Sequence, residues 1–225
     1  MVDPHRDTIV VATTSRGKLE ELRAMLADLP VEVVSSAEAL KHPPVVAEDG
    51  ATFADNAVKK AQAIARATLM LTVADDSGLE VDALDGRPGV RSARFAHDRA
   101  TDAENNAALV AALERLGDPA AQSASGQRFP ARFRCVLALV DPFTQGGAAQ
   151  VVEGVCEGAI TLAARGSGGF GYDPLFVVAG GDRTVAELTE EEKNRVSHRA
   201  RAFAGLRPII EKALRERAAQ ARRID

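Results

Sequence analysis

Two adjacent carboxylates, Asp75 and Asp76, stop the apolar run from Leu69 to Ala74. A carboxylate pair can ligate a hard cation or take a proton from water. The stretch Asp75-Asp76-Ser77-Gly78 is also turn chemistry, because Asp and Gly dominate turns for conformational reasons. On its own it reads equally as an acidic turn. Glu48 and Asp49 form a second acidic pair, suited either to a hard cation or to a solvated loop, and nothing local decides between them. Thr13-Thr14-Ser15-Arg16-Gly17-Lys18 brings hydroxyls, a glycine and a lysine to a strand-to-helix junction, where free backbone N–H groups and the helix dipole suit an anion. The plain alternative there is a capping loop with a solvated lysine. Lys60, on a helix, is equally open, since helix lysines usually face water. Gly166 to Pro174 is the most unusual stretch by composition. It offers Phe170, Tyr172 and Asp173 beside a backbone able to approach a ligand closely, or else a tight hairpin with an exposed aromatic.

Two familiar phosphate-binding patterns fail on inspection. The Lys18 loop lacks the first glycine of a Walker A motif, and Leu19 stands where that motif has Ser or Thr. Gly166, Gly168 and Gly171 match GxGxxG formally, but Tyr172-Asp173-Pro174 and a strand-like Leu175 to Val178 follow instead of a helix.

The elements that must position these groups follow from periodicity. Thr8 to Thr13 is a β-branched strand, followed by a helix carrying Leu19, Leu22, Leu26 and Leu29. Val31 to Ser35 is a second strand, and Lys41 to Pro44 is an extended connector. Thr52 and Asp55 make a shortened capping box for the next helix, which carries Lys59 and Lys60. Leu69 to Ala74 is a strand expected to close at the Asp-Asp-Ser-Gly turn, and Gly78 to Leu84 is another. A helix from about Asp102, stopped by Gly117, reads as structural. Residues 118–128 are expected to form a mobile surface loop. Phe133 to Val140 and Val151 to Glu157 are buried strands joined by a hairpin near Gly146-Gly147. Thr189 and Glu192 stand at capping-box spacing. Asn194 opens the last amphipathic segment, where Pro208 is expected to kink or divide the helix and residues 215–225 to fray.

At 225 residues and 46% hydrophobic content, the chain can bury one large domain or two lobes around a shared sheet. A net charge of -4 argues against a sequence-independent nucleic-acid binder. Cys135 and Cys156 lie far apart without a CxxC pair, which implies a reducing, cytoplasmic setting. Met1 to Asp7 lacks the apolar core of a signal peptide, and no run reaches membrane-spanning length.

Taken together and in order, the motifs resemble the inosine/xanthosine triphosphate pyrophosphatase family. The matching pieces are Ala12-Thr13 with Gly17-Lys18; Glu48 and Gly50 with Thr52-Phe53, Asn56-Ala57 and Lys60-Ala61; Ala74 to Leu79; Pro88-Gly89 with Ser92-Ala93-Arg94; Gly168 to Pro174; and Ala186-Glu187-Leu188 with Glu192-Lys193 and Ser197-His198-Arg199. The resemblance covers nearly the whole chain. It implies a single α/β domain, residues 1–225, whose elongated mixed β-sheet forks into two lobes with flanking helices and an active-site cleft between them. It also implies a homodimer and a Mg²⁺-dependent hydrolysis of purine nucleoside triphosphates such as ITP, dITP and XTP to monophosphate and pyrophosphate.

By the same resemblance, Asp76 is the catalytic carboxylate and a metal ligand, and Glu48 is a second acidic group at the metal. Thr13, Thr14, Ser15, Arg16, Gly17, Lys18, Lys60 and Lys193 match groups that hold the triphosphate. Phe170, Gly171, Tyr172, Asp173, His198 and Arg199 match those around the base, and Asn56 and Ser77 join the substrate-binding set. Two departures stand out. Thr14-Ser15 replaces the family's usual Gly-Asn, which makes backbone approach less free, and Asp55 replaces the commoner Glu before Asn56. The remaining readings are a pyrophosphatase of similar fold preferring pyrimidine or modified bases, and a nucleotide-binding module without catalysis.

Overall fold

The computed structural model describes residues 7–116, 122–123, 126–144 and 147–221, with no side-chain detail for 122–128. The strands are β1 (Asp7–Ala12), β2 (Val31–Ser35), β3 (Leu71–Val81), β4 (Gln122–Ser123), β5 (Gly126–Val140), β6 (Gln150–Thr161) and β7 (Phe176–Val178). The helices are α1 (Arg16–Leu26), α2 (Ser36–Ala39), α3 (Phe53–Thr68), α4 (Asp102–Glu114), α5 (Glu190–Val196) and α6 (His198–Ala221). The strands pair in the order β2-β1-β3-β5-β6-β7, with β4 paired to β5. Parallel and antiparallel pairs coexist, so the fold is α/β with a mixed sheet and flanking helices.

The chain divides into two compact units. One comprises Met1–Asp76, Val136–Glu153 and Ala202–Asp225; the other comprises Ser77–Cys135 and Gly154–Arg201. In the first unit, β1 runs parallel to both β2 and β3, with Ile9 opposite Val33 and Leu71. Parallel neighbours need crossover connections, supplied here by α1 between β1 and β2 and by α3 before β3. Ile9, Val10, Val11, Leu71 and Val73 are completely buried, as strands covered on both faces require. Phe53, Ala57, Ala61, Ile64 and Ala65 give α3 one buried face at helical spacing. Asp55 closes the capping box in full, accepting from the Thr52 N–H at 3.0 Å and its hydroxyl at 2.8 Å, so the shorter acid suffices.

The second unit centres on an apolar cluster that includes Leu79, Val81, Leu109, Leu113, Phe129, Tyr172, Leu175 and Phe176. Burial of each such large side chain contributes roughly 1.5–3 kcal/mol. β6 and β7 pair antiparallel, Ala159 opposite Val177.

Several expectations need correction. β3 does not close at Asp75: it runs unbroken from Leu71 to Val81, so both aspartates lie in mid-strand. The turn propensity of Asp-Asp-Ser-Gly loses to the buried Leu79 and Val81 beyond it, and to Ser92 Oγ, which accepts from the Leu79 N–H at 2.8 Å. A Cβ at Gly78 would come within 2.4 Å of that hydroxyl, so the glycine serves a close approach and not a turn. β3 also starts two residues late, because Leu69 is the left-handed cap of α3 (φ 56°). Within the expected loop 118–128, residues 122–123 and 126–128 are strand backbone, Ser123 facing Gly126. Residues 118–121 and 124–125, and Gly117, lie outside the described residues. Pro208 sits inside α6 without dividing it, since Leu206 and Ile210 on either side are completely buried and hold the helix through the missing hydrogen bond. The break between the last two helices falls instead at Ser197. α6 continues to Ala221, and 222–225 lie outside the described residues.

Candidate active site

In the first unit, a chain of contacts joins most of the residues singled out by sequence. Ser15 caps α1, its hydroxyl accepting from the Lys18 N–H at 3.5 Å, and the Ser15 N–H donates to Thr13 Oγ1 at 3.1 Å. The positive end of the α1 dipole therefore sits over this loop. Lys18 is not solvated as the plain alternative had it: its Nζ lies 2.6 Å from Asp75 Oδ1, whose side chain is fully buried. Thr14 is exposed, and Arg16 is engaged at the surface by Glu20 at 2.7 Å, so neither side chain joins the chain of contacts.

Adjacent strand residues point to opposite sides, so Asp75 meets α1 while Asp76 meets α3. Asp76 Oδ1 accepts from Lys60 Nζ at 2.7 Å, and Asp76 Oδ2 from Asn56 Nδ2 at 3.3 Å. Lys60 Nζ also donates to Glu48 Oε1 at 3.0 Å and to the Asp75 carbonyl at 2.7 Å. The Glu48 segment is held by the Gly50 N–H donating to Asn56 Oδ1 at 2.8 Å, and a Cβ at Gly50 would come within 2.7 Å of that oxygen. Burial pushes the Asp76 carboxyl above its ordinary value, with Lys60 opposing. For Lys60, burial is the largest single influence and works downward, yet Asp76 and Glu48 outweigh it, so its ammonium is held charged.

Among the described residues, no group of three or more His, Cys, Asp and Glu is arranged to hold a metal. Two carboxylates nonetheless converge on one cationic point, the Lys60 ammonium. That oxygen donor set suits a hard divalent ion that takes its remaining ligands from water and phosphate.

In the second unit, Arg199, 1% exposed, donates to Ser77 Oγ at 3.0 Å. Lys193 Nζ donates to Asp173 Oδ2 at 2.8 Å and lies 4.6 Å from the Phe170 ring centroid, with the Arg199 guanidinium 5.8 Å from it. Lys193, expected with the triphosphate groups, lies against Phe170 and Asp173, residues expected around the base. The Phe170 N–H donates to the same Asp173 oxygen at 3.0 Å. Gly169 is at φ +74°, and a Cβ there would sit 2.1 Å from that oxygen, so this position requires glycine. Phe170 is half-buried, and no hairpin with a fully exposed ring forms. His198 stacks on Phe133 at 4.9 Å. Phe133, Cys156, Asp173, Lys193 and His198 line a small recess. Burial pushes the Cys156 thiol and the Tyr172 phenol up; the phenol donates to the Ser92 carbonyl at 2.9 Å.

Sequence reasoning placed Ser92 in a motif without giving it a role, and did not find its support of Leu79 and Tyr172 or the pairing of Asp75 with Lys18. Both arise from contacts between residues distant in the chain. Neither cysteine is in a disulfide, and no helix among the described residues is long and apolar enough to cross a membrane.

Comparison with known proteins adds to this geometry. The chain is 47% identical over 202 residues to a dITP/XTP pyrophosphatase of Desulforamulus reducens, covering 90% of this chain and 94% of that protein. It is 45% identical to a dITP/XTP pyrophosphatase of Streptomyces coelicolor, covering 92% and 98%. Among solved structures it is similar to a HAM1 protein from Coxiella burnetii, with a TM-score of 0.78, 38% identity, and coverage of 92% and 99%. The family pattern described as the Ham1 family matches residues 9–209, and this chain therefore belongs to the Ham1 family.

Proposed function

We propose that this chain is a nucleoside triphosphate pyrophosphatase that hydrolyses the non-standard purine nucleotides ITP, dITP and XTP to monophosphate and pyrophosphate. The observation that carries the reading is the convergence of Asp76 Oδ1 and Glu48 Oε1 on Lys60 Nζ, at 2.7 and 3.0 Å. The names of the relatives in Desulforamulus reducens and Streptomyces coelicolor support it.

Asp76 and Glu48 would hold Mg²⁺, together with phosphate oxygens and waters. When bound, the ion supplies positive charge against the phosphate oxygens and makes water more acidic. Lys18 and Lys60, with the first turn of α1, bind the triphosphate. Asp76 accepts a proton from the attacking water. The water oxygen bonds to the α-phosphorus, the bond from that phosphorus to the bridging oxygen breaks, and pyrophosphate leaves. Stabilisation of charge developing on the phosphate oxygens is the main rate contribution expected of such a site. Phe170 stacks against the purine, with Asp173, Lys193, His198 and Arg199 around it. An oxo-purine offers a carbonyl to the donors Lys193, His198 and Arg199, whereas adenine offers an amino group and leaves a donor unmet. The enzyme acts as a homodimer, and its two cysteines, neither in a disulfide, suit a reducing, cytoplasmic setting.

The test is to incubate the protein with Mg²⁺ and ITP, dITP, XTP, GTP or ATP and identify the products. Pyrophosphate from the first three, with ATP far slower, is expected. Orthophosphate alone, or ATP cleaved as readily as ITP, would falsify the reading.

A further inference from the structure

Helix α4 has no apparent business with chemistry in the sequence, yet it grips the turn that follows Phe170. Asp102 and Asn106 stand one helical turn apart, and each takes one polar backbone group of Gly171. The Gly171 N–H donates to Asp102 Oδ2 at 2.7 Å, and the Gly171 carbonyl accepts from Asn106 Nδ2 at 3.0 Å. The turn itself closes through the Asp173 N–H to the Phe170 carbonyl at 3.3 Å. Gly171 is at φ +61°, and a Cβ there would meet nothing within 4 Å, so the glycine answers a backbone need and not a spatial one.

In a four-residue turn, the central peptide unit is the part whose rotation interconverts turn types. Here that unit joins Gly171 to Tyr172, and Asn106 braces it. A trans peptide is planar, with its carbonyl and N–H directed oppositely, so fixing the Gly171 carbonyl on Asn106 aims the Tyr172 N–H away from α4. That N–H has no acceptor among the described residues, while both polar groups of Gly171 are engaged. Asn106 Oδ1 is buried without a partner. Leaving such an acceptor unmet is unfavourable, so the fold keeps the amide there for its donor side. Tyr172 anchors the other end through Ser92.

We propose that Asp102 and Asn106 are positioning residues for base discrimination: they set the Gly171–Tyr172 peptide so that the Tyr172 N–H meets the carbonyl of an oxo-purine. The inference rests on the function proposed above and names one backbone donor that would select the base. A donor held in one direction favours a carbonyl over an amino group, so loosening it costs the oxo-purine and leaves adenine little changed.

Asn106→Ala and Asp102→Ala are compared with wild type, together with Asp102→Asn, which keeps an acceptor oxygen. Folding is checked by thermal unfolding, amide hydrogen exchange is read over residues 170–173, and kcat and KM are measured for ITP and ATP. For both alanine variants, exchange at Gly171, whose N–H is bonded to α4, rises. The ITP-to-ATP ratio of kcat/KM falls roughly tenfold, the size of one lost hydrogen bond, through a higher KM for ITP with kcat nearly kept. Asp102→Asn recovers most of the ratio. Unchanged exchange, or an unchanged ratio in folded alanine variants, overturns the proposal. A wild type that cleaves none of the triphosphates to pyrophosphate overturns the function itself, and is seen before any variant is made.

Discussion

Lys18 Nζ lies 2.6 Å from Asp75 Oδ1, tying the first turn of α1 to the middle of β3. Asp75 thereby serves the lysine proposed to bind phosphate, whereas Asp76 serves the proposed reacting centre. Asp75→Asn should lower kcat/KM for ITP by about 10- to 100-fold, the scale of a misplaced binding group. It should also destabilise the fold by about 2 kcal/mol, because Lys18 loses a buried counter-charge. Steady-state kinetics and urea unfolding read the two effects. If Asp75→Asn matched Asp76→Asn in residual turnover, the division of labour between them would be wrong.

Asp76→Asn keeps an oxygen for Lys60 and the same shape beside Asn56, so the protein should fold and retain nucleotide binding. Turnover should fall by about 10³-fold or more once the proton acceptor and metal ligand are lost. Single-turnover assays paired with equilibrium ITP binding separate the two. Substantial residual chemistry would move the catalytic role to Glu48.

Chelation of divalent metal should abolish turnover, and added Mg²⁺ should restore it. The melting temperature should hardly move, because Lys60 already bridges Asp76 and Glu48. Mg²⁺ without nucleotide should bind only weakly, as two carboxylates complete a small part of its coordination shell. A steep drop in thermal stability on chelation would argue for a structural ion instead.

Away from the site, Arg217 donates to both oxygens of Asp141 at 2.8 Å, and Phe143 lies beneath its guanidinium at 5.7 Å. Burial works to raise the Asp141 carboxyl, but Arg217 and the Phe143 N–H outweigh it and hold the group below its ordinary value of 3.8. The native state therefore binds this proton less readily than the unfolded chain. The resulting stability is present above that value and is lost as pH falls through the depressed one. Asp141→Asn should cost about 2–3 kcal/mol at pH 7, with the deficit narrowing as pH falls below 3.8. Urea unfolding at both pH values checks the sign.

Much of the fold was legible because its signals are local. The Thr52–Asp55 and Thr189–Glu192 boxes need only four residues each, and both form as the spacing predicts. The buried strand at Thr8 to Thr13 is announced by its β-branched run. What propensity could not show is which polar group meets which. Lys60 looked like any helix lysine until Glu48 and β3 came to its ammonium, and Asp-Asp-Ser-Gly looked like a turn until Ser92 took the next strand N–H. The one available hint toward α4 was Asn105 beside Asn106 in a helix interior, where asparagine is a poor helix former and persists when its side chain has backbone to hold. Asn105 indeed accepts from the Ala96 N–H at 3.0 Å and donates to the Ala93 carbonyl at 3.1 Å.

Because Asp75 and Asp76 lie within an uninterrupted β3, their identities are locked to the parity of the strand. A single inserted or deleted residue upstream in β3 would exchange the faces of the two aspartates, sending the carboxylate proposed as catalytic toward α1 and its neighbour toward α3. Length variation is therefore barred from this segment. A library built on this scaffold should vary β3 by substitution alone and accept insertions elsewhere, such as the extended connector at Lys41 to Pro44.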